Sequence, residues 1–98
     1  MGNARMEYQI GKLKVDNKVA QPIVVFVEPW GRDYWLQPGE TFELIALSDE
    51  TDPDFYFHVI YSEQQIDIYA EGRCYDVSVV LNGQELECGH NRPKGHFT

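Results

Sequence analysis

Apolar and polar residues alternate in short runs along most of this chain, and groups of turn-forming residues separate the runs. The runs are rich in Val, Ile, Tyr and Phe, which favour strands. None of them keeps the period of an amphipathic helix over the roughly ten residues that a packed helix needs. The pattern therefore predicts an all-β domain.

Asn82-Gly83 is the strongest turn signal in the chain. It predicts a type I′ hairpin, because both central residues of that turn require positive φ. The two-residue loop sets Leu81 opposite Gln84 and Val77 opposite Cys88. The hairpin then has one core face, which holds the odd-numbered apolar residues before the turn.

The same reasoning extends the hairpin upstream. A turn at residues 62–65 pairs Tyr61 with Ile66, and the next turn pairs the strand of Ile66 with the strand of Val77. Both steps keep the apolar sets of successive strands on one side. Residues 55–88 are therefore predicted to form a four-stranded antiparallel meander.

The first half of the chain is predicted to supply a covering sheet. A bulge at Gly11 explains why the apolar parity switches between Ile10 and Leu13. Pro38-Gly39 suits the centre of a type II turn. The predicted strands of this half are Glu7–Val15, Ile23–Glu28, Asp33–Leu36 and Thr41–Leu47.

Together these elements predict a small two-sheet antiparallel β-sandwich of about eight strands. A partly open β-barrel is the alternative architecture. The chain length favours one domain over residues 1–98, with residues 1–5 and 89–98 as tails.

The net charge is −8, and residues 40–87 hold most of it, with twelve Asp and Glu residues against one base, Arg73. Binding to nucleic acid needs clusters of Lys and Arg, so we expect no nucleic-acid partner. No run approaches the ~20 apolar residues of a membrane helix, so we expect no membrane partner. A surface this acidic either keeps a small protein in solution or attracts a basic partner.

The cellular location is inferred from the N-terminus and the cysteines. No apolar run of a secretory leader is visible in the first residues. The predicted strands turn Cys74 and Cys88 in different directions, which predicts two free thiols. Free thiols are typical of a reducing compartment, so a cytoplasmic location is expected.

The run from Val25 to Glu40 contains Glu28-Pro29-Trp30-Gly31 followed by Pro38-Gly39-Glu40. This combination resembles a motif of short, uncharacterised bacterial β proteins. The resemblance covers roughly residues 22–48 and extends more weakly to the end of the Asn82-Gly83 hairpin. It implies a small bacterial β-sandwich and implies no activity.

The outward face of the predicted meander is the first candidate binding site. A face that meets only water should be polar, but this one carries an apolar stripe with carboxylates at its rim. Such a patch is typical of an interface and predicts a protein partner or a homodimer. The alternative is that a loop or the C-terminal tail covers it. The stripe consists of Tyr56, His58, Ile60, Tyr69 and Val80.

The loop around Trp30 is the second candidate. It places Trp30 and Tyr34 beside three charged groups, a mixture found at the anchors of binding surfaces. The alternative is that Trp30 folds back and caps the end of the core.

Metal binding and catalysis find less support. Cys88, His90 and His96 carry donor types that suit zinc, but their spacing matches no closed zinc site. No cofactor motif and no nucleophile with an assigned base can be found. The sequence therefore predicts a non-catalytic protein-interaction module, inhibitor- or immunity-like towards a basic protein. The alternative function is a small metal or ligand carrier that uses Cys88, His90 and His96.

Overall fold

The computed structural model describes residues 6–95 of the chain. This part is all-β, as predicted, and no helix in it is long and apolar enough to cross a membrane. Its strands are β1 (Tyr8–Asp16), β2 (Ile23–Glu28), β3 (Arg32–Leu36), β4 (Thr41–Ser48), β5 (Tyr56–Ser62), β6 (Gln65–Glu71), β7 (Asp76–Leu81) and β8 (Gln84–Glu85).

The strands form two four-stranded sheets, which confirms the predicted sandwich rather than a barrel. Sheet A has the order β1-β4-β7-β8, and sheet B has the order β3-β2-β6-β5. All neighbouring strands are antiparallel except β2 and β6, which are parallel. Each sheet therefore takes strands from both halves of the chain, and the prediction that the first half forms the covering sheet was wrong.

The predicted meander is also wrong at its centre. The β5–β6 hairpin has the predicted register, with Tyr61 opposite Ile66. After β6, however, the chain crosses to sheet A, where Val77 lies opposite Ala46 of β4. The crossing segment is held there because the Tyr75 N–H donates to the Leu47 carbonyl oxygen at 2.9 Å. Either partner strand keeps the apolar face of β7 inward, so the alternation could not decide between them.

The Asn82-Gly83 turn is confirmed, with φ of 52° at Asn82 and 80° at Gly83 and with Leu81 opposite Gln84. The strand that follows is shorter than predicted, because β8 ends at Glu85. The predicted pairing of Val77 with Cys88 does not form.

The chain leaves β8 and docks along the free edge of β3. The Gly89 N–H donates to the Asp33 carbonyl oxygen at 2.6 Å, and the Trp35 N–H donates to the His90 carbonyl oxygen at 2.8 Å. Part of the predicted C-terminal tail, residues 89–92, is therefore bound to sheet B.

The core lies between the two sheets and is formed by one face of each. Its largest buried side chains include Tyr34 and Phe42, whose rings meet edge to face at 6.4 Å between centroids. The other fully buried apolar side chains are Leu36, Leu44, Ala46, Ile68, Val25, Val27, Val77 and Val79.

Gly11 lies at the closed end of the sandwich, where β1 approaches β5. The register of β1 against β4 shifts between Gln9 and Gly11, which confirms the predicted bulge. A Cβ atom at Gly11 would lie 2.5 Å and 2.7 Å from ring atoms of Phe55. Glycine is therefore required here because the Phe55 ring packs directly on the backbone.

We expect Gly11→Ala to lower the free energy of unfolding by about 1–2 kcal/mol, because the new methyl group forces the Phe55 ring to move. Urea unfolding measures this difference. The same substitution in a Phe55→Leu background should cost less, since the smaller side chain leaves room. An equal cost in both backgrounds would contradict the packing explanation.

Candidate functional site

The face of sheet B that points away from the core carries a group of apolar and aromatic side chains. The parallel β2–β6 ladder sets Phe26 beside Asp67, and the β5–β6 ladder sets Ile60 on the other side of Asp67. We call this surface the outer face. Its members are the exposed Tyr56, His58 and Ile60, the half-buried Phe26 and Tyr69, and Val24, which is buried.

Tyr69 lies near the centre of the outer face. Its neighbours across the two ladders are Glu28 in β2 and His58 in β5. The rings of His58 and Tyr69 are tilted by 40° with centroids 6.1 Å apart. The His58 Nδ1 atom lies 3.9 Å from the Glu71 carboxylate. Carboxylates of Glu28, Asp67 and Glu71 therefore border the aromatic pair.

Four of the five residues predicted for the stripe share this face, namely Tyr56, His58, Ile60 and Tyr69. The prediction for Val80 was wrong, because β7 belongs to sheet A and Val80 lies opposite Glu43 and Glu85 there. Because β6 pairs with β2 instead of β7, the neighbour of Tyr69 on that side is Glu28.

Phe26 and Val24 are members of the outer face that the sequence did not reveal. The only signal was that β2 is apolar at both odd and even positions, which indicates a central strand. Assigning Phe26 to the patch required the β2–β6 pairing, and no local turn signal specifies a parallel pairing between distant strands.

Strand β5 is the most exposed part of the site. Val59 and Tyr61 point towards the interior side of sheet B, as predicted, yet they remain 46% and 68% exposed. On the outer face, Tyr56 is 60% and Ile60 is 42% exposed. Since β5 is the last strand of its sheet, it presents apolar side chains on both sides.

The C-terminal segment covers a different part of sheet B. Within residues 6–95, it lies against β3, where it buries Asp33, and it leaves Tyr56 and Ile60 exposed. In the part of the chain that is described, the C-terminal segment therefore covers β3 and does not cover the β5 residues of the stripe.

Asp33 of β3 is the polar group that holds the C-terminal segment in place. Its carboxylate accepts hydrogen bonds from Trp35 Nε1 at 3.0 Å and from Arg92 Nε at 2.9 Å, and Arg92 Nη2 forms a second bond. The hydrogen bond from Arg92 lowers the pKa of Asp33 to about 2, against the raising effect of burial. The Asp33–Arg92 pair therefore fastens residues 89–92 to β3.

The Trp30 loop joins β2 to β3 within sheet B, and its neighbour Arg32 reaches across to sheet A. The Gly31 N–H donates to Glu28 Oε1 at 3.0 Å, and the Arg32 guanidinium lies 5.1 Å from the centroid of the Trp30 ring. Arg32 Nη2 also donates to Asp76 Oδ1 of β7 at 3.0 Å. Trp30 is 38% exposed, so its ring packs on Arg32 while one side remains open to solvent.

Tyr34 does not belong to a binding surface in this structure. It is 1% exposed and faces Phe42 in the core, and burial raises the pKa of its hydroxyl. The prediction grouped it with the Trp30 loop as a binding residue, but it lies in β3, which turns Tyr34 and Leu36 inward.

The predicted metal-binding residues Cys88 and His90 contact different parts of the molecule. Cys88 Sγ lies 3.6 Å from Asp33 Oδ1, whereas the His90 ring packs edge-on against Phe42 with centroids 6.2 Å apart. His96 lies outside the described residues. In the described part of the chain, no three His, Cys, Asp or Glu side chains are placed to hold a metal ion together. Both cysteines are free.

The chain was compared with protein-family models, with curated proteins and with solved structures, and none of them matches it. The site must therefore be interpreted from its own geometry and chemistry.

Proposed function

We propose that this protein is a non-catalytic interaction module that binds a basic protein partner through the outer face. The observation that carries the proposal is the partly exposed aromatic and aliphatic patch around Tyr69, in which Tyr56 and Ile60 are the exposed members and carboxylates lie close by. Exposed apolar patches with polar rims are typical of protein-binding surfaces.

The charge of the rim supports a basic partner. Glu28 and Glu71 border the patch, Asp67 lies within it between Phe26 and Ile60, and the chain carries a net charge of −8. Complementary charges accelerate association and exclude partners of the same sign. An inhibitor- or immunity-like role towards a cationic protein fits this arrangement.

The free thiols of Cys74 and Cys88 support the cytoplasmic location that belongs to this proposal.

The proposal is tested by capture from a native bacterial lysate on immobilised protein, with the retained proteins identified by mass spectrometry. We expect the wild type to retain a protein of high isoelectric point. Tyr69→Ser should raise the dissociation constant for that protein about tenfold or more, because it removes the central aromatic contact. Raising the ionic strength should weaken binding as well.

Tyr75→Ser is the matched control, since it makes the same substitution at a tyrosine that is 42% exposed and lies beyond the outer face. It should bind the partner as the wild type does. Equal loss in both variants, or unchanged binding by a folded Tyr69→Ser variant, would show that the outer face is not the binding surface.

A further inference from the structure

The four edge strands of this sandwich differ in how they are protected against pairing with another strand. Natural sheets protect their edges with charges, bulges, short strands or covering segments. Strand β1 has the bulge at Gly11 and the exposed Lys12 and Lys14, β8 has two residues, and β3 is covered by residues 89–92. Each of these three edges is therefore protected.

Strand β5 has no charge, bulge or hydrogen-bonded covering segment, although β1 approaches it near Gly11 beside the Phe55 and Phe57 rings. It is seven residues long, pairs regularly with β6, and contains no proline and no Asp, Glu, Lys or Arg in a chain that is 24% charged. Among residues 6–95, no strand pairs with its outer edge. An uncharged, regular and exposed edge is a template for strand addition.

The direction of the backbone groups in β5 follows from the neighbouring ladder. The Val24 N–H donates to the Gln64 carbonyl oxygen at 3.1 Å, so even-numbered residues of β6 bond to β2. The odd-numbered residues of β6 then bond to β5, and their partners are the even-numbered residues of β5. The N–H and C=O groups that point away from the sheet therefore belong to Phe57, Val59 and Tyr61.

The strand is also complementary to itself. An antiparallel pair of β5 strands around a two-fold axis at Val59 overlaps over the whole strand, because Tyr56 then faces Ser62 and Phe57 faces Tyr61. All three outward-pointing residues pair with an outward-pointing residue of the other copy. Six backbone hydrogen bonds result, and an aromatic pair forms on each side of the axis.

The charges that flank β5 agree with this register. Beyond the ends of the strand, Asp54 would face Gln64 and Phe55 would face Glu63, so no like charges lie directly opposite each other. Basic partners are expected to bind the carboxylate rim of the outer face, whereas the edge of β5 offers them no carboxylate of its own.

We propose that the occupant of this edge is a second copy of the chain, joined through antiparallel β5–β5 pairing centred on Val59. This inference rests on the proposed function, since the pairing would join two outer faces into one continuous surface on an eight-stranded sheet. A basic partner would then contact both copies, and each copy would strengthen the binding of the other.

The first test is sedimentation of the wild type and of two proline variants. The wild type should sediment at twice the chain mass. The fraction of dimer should increase with salt, because screening weakens the repulsion between two chains of charge −8. Val59→Pro removes an outward N–H that β6 does not use, so it should stay folded and weaken self-association about tenfold or more. Ile60→Pro removes an N–H that bonds to β6 and should lower the unfolding midpoint as well.

The second test uses the symmetry axis. Val59→Lys and Val59→Glu each place two like charges opposite each other and should be monomeric, while an equimolar mixture of the two variants should form a heterodimer. Only a pairing centred on Val59 gives this result. Circular dichroism of both variants at low concentration should show the wild-type spectrum.

A wild type that remains monomeric at millimolar concentration would overturn the pairing, as would a wild-type dimer whose charge variants do not recombine. Both results leave the proposed function intact if partner capture still depends on Tyr69. Conversely, a dimer with the expected Val59 behaviour that captures no partner refutes the proposed function alone.

Discussion

Asn17→Asp is expected to lower the free energy of unfolding by at least about 3 kcal/mol at pH 7. Asn17 is fully buried, and its side-chain Nδ2 donates to the carbonyl oxygens of Gln21 at 2.8 Å and Leu36 at 3.0 Å. Its Oδ1 accepts the Val19 N–H at 2.9 Å. A carboxylate at this position would place a negative oxygen against two carbonyl oxygens without access to water.

The pH dependence identifies the cause of this loss. A buried carboxyl that repels its neighbours has a raised folded-state pKa, so the deficit is largest at neutral pH and shrinks as the pH falls. Urea unfolding at pH 7 and pH 5 measures the change relative to the wild type. Asn82→Asp is the control, because Asp-Gly also suits a type I′ turn and should change the stability little. A deficit that does not depend on pH would argue against a buried charge.

The second large effect is expected at Asp33, where Asp33→Asn should cost about 2–3 kcal/mol at pH 7. The substitution removes the charge that accepts the bonds from Arg92 and Trp35. It should also free residues 89–92, so the Trp35 amide, which donates to His90, should exchange its hydrogen faster.

The wild type should show the corresponding acid sensitivity. The pKa of Asp33 is lowered from 3.8 to about 2 in the folded protein. Its contribution, on the order of 2 kcal/mol, is therefore complete above about pH 4 and is lost as the pH falls towards 2. Unfolding measured between pH 5 and pH 2 should show this loss in the wild type and a smaller loss in both Asp33→Asn and Arg92→Gln. Identical pH profiles for the three proteins would contradict the role of the pair.

Local features of the fold were predictable because local chemistry determines them. Positive φ at both Asn82 and Gly83, the turn at Pro38-Gly39 and the bulge at Gly11 each follow from a few neighbouring residues. The β5–β6 register was predictable for the same reason, since a short turn and an alternating pattern leave one solution.

The choice of strand neighbours was not predictable in the same way. The alternation in β6 and β7 requires only that their apolar faces point to the core. Pairing β6 with β2 and β7 with β4 meets this requirement as well as the predicted pairing of β6 with β7 does. Long-range pairing depends on the packing of the whole core, which a single sequence does not specify through periodicity.

The residues of the candidate site also fall into those that a local hairpin places and those that long-range pairing places. Tyr56, His58, Ile60 and Tyr69 share a predicted hairpin, so their common face could be derived from its register. Phe26 joins them only through the parallel ladder. Tyr34 was misplaced because the short predicted strand Asp33–Leu36 does not show by its alternation which face points to the core, whereas β3 turns Tyr34 inward.

The parallel β2–β6 ladder has a consequence for how the chain reaches its native state. It joins Val24 to Gln65, which are 41 residues apart along the chain, and the crossing to β7 adds another non-local pairing with β4. Proteins rich in such separated contacts have a high contact order and fold on the slower, millisecond-to-second scale of β-sandwiches. The three hairpins can form early, but the barrier to folding should be crossed only when β2 and β6 meet.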